Sequence, residues 1–186
     1  MQQSDHQPLG PLAPLSGVWE GDDGVDISWI DGQQRETPFR ERAVFEPLGP
    51  VRNGPQELYG LRYNTTAWRL GEAEPFHEEL GYWLWDAGNG EVMRCFMVPR
   101  GMLINAGGTA QAGSRQLDLA AELGSPTYGI LSNKFLDASH KTVKYTLHLQ
   151  VEGDDVFSYS EDTALLVCDG ASTFHHTDRN RLQRIA

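Results

Sequence analysis

A chain of 186 residues, 39% hydrophobic and 22% charged, has the size and make-up of a globular domain with a core of its own. Twenty-six acidic residues against 15 basic ones leave a net charge of −11, and the basic residues form no cluster, which argues against nucleic acid and anionic membrane surfaces as partners. Two cysteines, Cys95 and Cys168, are too few for a disulfide framework and lack metal-type spacing, so both are expected as reduced thiols.

The N-terminal residues 1–6 carry no basic segment leading into an apolar one, and no later stretch reaches membrane-span length, so a cytoplasmic location is the expectation. A Pro-rich lead over residues 1–14 precedes a single barrel domain over 15–186. Gly17-Val18-Trp19-Glu20-Gly21-Asp22-Asp23-Gly24 suits a first barrel strand. Trp19 plugs one end, while Gly17 and Gly21 let neighbouring backbone come close. Asp22, Asp23 and Asp26 lack the ligand alternation of a calcium loop and read as a solvated acidic loop.

Further along, residues 25–30, 39–46, 57–70, 76–86, 91–98, 102–105 and 115–122 read as strands separated by turn residues such as Asp86-Ala87-Gly88-Asn89-Gly90. The window 130–138 has no clear period. From Val143 to Val151 every odd position is apolar and every even one polar, a strand with one buried face, and Glu152-Gly153-Asp154-Asp155 turns it into a partner over 156–160. Strands over 163–168 and 179–185 complete about ten, enough to close an antiparallel up-and-down barrel. The fold class is therefore all-β and lipocalin-like, also similar to fatty-acid-binding proteins, a shape that holds a small apolar molecule.

Within this frame His77 shares a strand face with Glu79 and Gly81, opposite Phe76, Glu78 and Leu80. In Tyr82-Trp83-Leu84-Trp85, aromatic and aliphatic residues fall on both faces: two line the interior, and the other pair covers an end or a dimer contact. His148 belongs to a polar face and His140 to a loop, and neither is given a role. No nucleophile elbow, phosphate loop, dinucleotide fingerprint or zinc helix is present, so any chemistry resides in a cofactor.

Three stretches carry a family likeness: residues 12–21, with a G-x-W-x-G opening; Glu74-Pro75-Phe76-His77-Glu78-Glu79-Leu80-Gly81-Tyr82; and the His-containing final strand ending Leu182-Gln183-Arg184-Ile185. On these residues the chain resembles the nitrobindin-type haem-binding β-barrels. The resemblance implies ferric haem b held by His176 or His175 as proximal ligand, His77 on the distal side, and reaction with nitric oxide or isomerisation of peroxynitrite to nitrate. It also implies a homodimer, and a pocket including Gly17, Trp19, Gly21 and Phe76. On the last strand His175 is expected to share the face of Leu182 and His176 to need a bulge to reach it, with Asp178 the expected holder of the other ring nitrogen.

A second reading is a carrier of a fatty acid or other hydrophobic ligand without catalysis, its carboxylate received by an inward Arg62 or Arg94. A third is a barrel filled by its own side chains.

Overall fold

A computed structural model describes residues 7–167 and 170–186. Cys168 and residues 1–6 lie outside the described residues, and Cys95 is a free thiol. A 3-10 helix over Gln7–Leu15 leads into β1 (Gly17–Ile30), β2 (Gln33–Asn53), β3 (Gln56–Arg69), β4 (His77–Asp86), β5 (Glu91–Val98), β6 (Met102–Thr109), β7 (Gln116–Glu122) and β8 (Ile130–Leu131). The short helix α1 (Lys134–Ser139) follows, then β9 (Lys141–Val151), β10 (Val156–Val167) and β11 (Ser172–Arg184).

Neighbouring strands pair antiparallel in the order β5-β4-β3-β2-β1-β11-β10-β9-β7-β6, and β5 pairs with β6, so ten strands close a ring while β8 adds to β6 from outside it. The expected ten-stranded barrel is the observed one. Several expected boundaries move, the largest change being 39–46, which lengthens into the 21-residue β2. The segment 25–30 continues the Gly17 opening as one strand; 156–160 and 163–168 merge into β10, because no Gly or Pro interrupts them; and the last strand starts at Ser172. The window without a period holds β8 and α1, whose first turn is capped where Asn133 accepts the Leu136 N–H at 3.0 Å.

One end of the ring is closed. Leu12, Leu15, Trp19 and Leu182 are fully buried there, the Trp19 indole N–H donates to the Leu15 carbonyl at 2.8 Å, and Phe157 meets the Trp19 ring edge-on at 4.8 Å. Strand direction places the β1–β2, β3–β4, β5–β6 and β10–β11 connections at the other end, with α1 beside them. That end is the mouth. Among the described residues no helix is long and apolar enough to cross a membrane.

Candidate functional site

Strand alternation decides what enters the lumen. On β2 Phe39, Glu41, Ala43 and Phe45 are buried, and on β4 Glu79, Trp83 and Trp85. All of these but Trp85 line a cavity of about 520 Å³ opening at the mouth. Its outer part is apolar, with Trp29, Phe39, Phe76, Met102, Leu136 and Leu165 on the walls.

On β11 the lumen face carries Phe174, His176, Asp178, Asn180 and Leu182. This corrects the expected face of His176: six residues separate it from Leu182, an even number, so regular pleating puts both inside without a bulge. His175 points outward instead, 61% exposed and 2.8 Å from Asp162. His176 Nε2 lies 2.6 Å from Asp26 Oδ1, at hydrogen-bond distance. Asp26 is 7% exposed, so it belongs to the lumen and not to a solvated loop, whereas Asp22 and Asp23 are exposed. The carboxylate on His176 is therefore Asp26, where Asp178 was expected.

His77 stands at the lip of β4, four strands round the ring from β11 and so on the facing wall, with Nε2 3.3 Å from Glu79 Oε1. Burial pulls the imidazole down, but the hydrogen bond and charge of Glu79, with Glu161 and Glu41 beyond, outweigh it and leave its pKa raised. Phe76 beside it meets Phe39 edge-on at 5.9 Å.

Deeper in, Arg94 crosses the lumen. It bonds Glu79 at 2.5 Å, the Tyr63 hydroxyl at 3.0 Å, and also Glu161 and the Tyr145 hydroxyl. Burial alone would raise Glu79, but Arg94, His77 and Tyr63 overcome it and bring its carboxyl to about 2. Glu161 goes the other way, raised by burial and by Glu79 despite Arg94. Asp178 is raised well above the carboxylate range by burial and by the charges of Glu161, Glu79, Glu41 and Asp26. Glu41 completes this layer, accepting from Thr65 at 2.7 Å, Tyr159 at 2.8 Å and Asn180 at 3.1 Å. The Trp83 indole N–H has no partner among the described residues.

Of the residues singled out from the sequence, His176, His77, Phe76 and Arg94 meet in this cavity. Gly17, Trp19 and Gly21 lie on the part of β1 that leads from the closed end, outside the cavity lining, and Arg62 is on the outer face, 57% exposed and 3.8 Å from Glu46. Missed were Asp26, Glu41, Glu161, Tyr63, Tyr145 and Tyr159. The alternation Phe157, Tyr159, Glu161, Thr163 carried a signal for two of them; Asp26 was hidden by a register break.

Residues 8–184 match the model of a family described as THAP4-like, heme-binding beta-barrel domain. No curated protein matches the chain. Among solved structures, the crystal structure of Rv2717c from M. tuberculosis is similar, with a TM-score of 0.68 and 20% identity over 94% of this chain and 95% of that one, a likeness of fold.

Proposed function

The chain belongs to the THAP4-like, heme-binding β-barrel domain family, and from that premise we propose that the mouth of its lumen holds haem through His176. The single observation that carries this reading is an inward imidazole on the last strand whose second nitrogen is held by a buried carboxylate, the arrangement metal-bound histidines use. The other residues fit the group. A cavity of about 520 Å³ lies within the range of ligand pockets, its outer wall is aromatic and aliphatic, and the cations Arg69 and Arg100 stand among the lining residues near the rim, where ligand carboxylates would emerge.

Bound there, haem would supply a ferric iron able to take up nitric oxide or peroxynitrite, in line with the nitrobindin-type resemblance. The chain's own residues do the rest. His176 would supply the imidazole, with Asp26 hydrogen-bonded to its ring; Phe39, Phe76 and Leu136 exclude water; His77, kept protonated to higher pH by Glu79, holds a proton on the facing wall.

The fatty-acid reading receives less support, because Arg94, the inward cation expected to take the carboxylate, is already engaged by Glu79 and Glu161. Four further carboxylates, Asp26, Asp31, Glu41 and Asp178, line the same cavity and repel the carboxylates of either ligand.

Titration of the purified chain with hemin tests the proposal. A Soret shift that saturates at one equivalent is expected, lost in His176→Ala and retained in His175→Ala. A shift that survives His176→Ala, or no shift at all, removes it.

A further inference from the structure

The lumen takes its charge from five strands. Asp26 on β1, Glu41 on β2, Glu79 on β4, Glu161 on β10 and Asp178 on β11 all line the cavity of about 520 Å³, and among the lining arginines Arg94 on β5 is the one buried with them. Arg69 and Arg100 stand toward the rim, where Arg69 faces Glu72 at 3.3 Å and the Phe76 ring at 5.0 Å. His77, on the wall facing His176, has its charge matched by Glu79 at 3.3 Å.

The donors around these acids are turned onto the chain itself. Arg94 bonds Glu79 and Glu161, Tyr63 donates to Glu79 at 3.0 Å, and Glu41 accepts from Thr65, Tyr159 and Asn180. What remains for a guest is the indole N–H of Trp83, a lining residue 2% exposed, which has no partner among the described residues. That uncharged donor suits a neutral acceptor and cannot balance an anion. Inside the rim an anion would shed its hydration, meet no unengaged arginine and stand among carboxylates, and each of these is unfavourable at low dielectric. Glu161 shows the sign of the field: although it touches Arg94, burial and the charge of Glu79 leave its pKa raised. A neutral diatomic bears none of these costs and finds apolar wall at Phe39, Phe45 and Leu149.

We propose that the lumen excludes anions and so limits the small ligands of an iron held at its mouth to uncharged ones, nitric oxide among them, while azide and nitrite are turned away. Peroxynitrite then enters as its uncharged acid. The part that concerns iron rests on the haem reading and narrows it. The exclusion itself belongs to the chain, with haem or without.

Fluorescence quenching of the haem-free chain reads the exclusion directly. Trp68→Phe removes the tryptophan that stacks on Arg40 away from the cavity lining, so the accessible emission comes chiefly from the lining residue Trp29. At an ionic strength of about 0.15 M exposed charges are screened beyond about 8 Å. Caesium and acrylamide, each measured relative to its effect on a free tryptophan amide, are then expected to quench severalfold more steeply than iodide. Iodide quenching is expected to rise when Glu41→Gln is added, and not when Asp22→Asn and Asp23→Asn are added, since those acids are exposed and outside the cavity lining. Iodide as effective as caesium in Trp68→Phe overturns the proposal, and so does a rise with the surface pair alone, because net charge would then be the cause. In the hemin-loaded chain azide affinity is expected to rise about tenfold in Glu41→Gln, the scale of one charge at roughly 10 Å, with nitric oxide affinity unchanged. Azide bound equally tightly by wild type and Glu41→Gln overturns the part that concerns iron. A wild type without a Soret band removes the haem reading and that part with it, and the iodide result still decides the exclusion.

Discussion

At the scale of single residues the lumen is governed by charge. Glu79 is 6% exposed at its side chain, bonded to Arg94, Tyr63 and His77, and titrates near 2 instead of 4.5. A carboxyl whose folded pKa is depressed contributes stability that is present above the unfolded value and lost as pH falls toward the folded one. As pH falls from 4.5 toward 2 the chain should therefore lose stability through this group. In Glu79→Gln the urea midpoint should be lower at neutral pH and should fall less over that acid window than in the wild type. A variant that keeps the wild-type acid slope would show that Glu79 does not carry it. His77 has the opposite sign: its raised pKa gives stability present below about 6.5 and lost as pH rises through its folded value, and the same substitution should remove that dependence.

At the scale of elements, the closed end shows how a short helix becomes part of a barrel. The 3-10 helix is too irregular to stand alone, with φ +53 at Gly10, and its Leu12 and Leu15 are buried against the lumen floor. Trp19 joins the two: it bonds the helix at Leu15, meets Phe157 across the floor, and lies 4.2 Å beneath the Arg184 guanidinium. Trp19→Ala should cost about 3–5 kcal/mol through the cavity it leaves, read as a lower denaturation midpoint, while hemin affinity stays unchanged because the mouth lies at the other end. A comparable loss of hemin affinity would place the ligand against the floor.

The same elements show what the sequence made legible. Strict alternation from Val143 to Val151 marked β9, and turn residues marked most hairpins, because period two and φ-permissive residues are local properties. Between Gly21 and Gly24 β1 advances one residue further than β2, a property of strands in register, so the sequence alone sets Asp26 with Asp22 and Asp23 in a solvated loop. His176 was within reach of counting alone. Arg94 was among the inward candidates; Glu161 was harder, since burial of charge on an inward face runs against the pattern that identifies such faces, and only its meeting with Arg94 across the lumen, 67 positions apart, makes it affordable.

At the scale of the molecule, ring closure gives each of the ten ring strands a paired neighbour on both sides, so displacing one breaks pairing on both. A ligand seated at the mouth should then stabilise the whole chain rather than its rim. For free hemin at about 100 times its dissociation constant the gain is about 2.7 kcal/mol, which for a chain of this size raises the thermal midpoint by roughly 5–10 °C. Calorimetry should show that rise as a single transition in the wild type and in His175→Ala, and little of it in His176→Ala. Hydrogen exchange gives the contrasting outcome. If hemin protects only the mouth ends of β1, β4 and β11 and the midpoint does not move, the barrel opens in parts and the ligand does not hold it as one body.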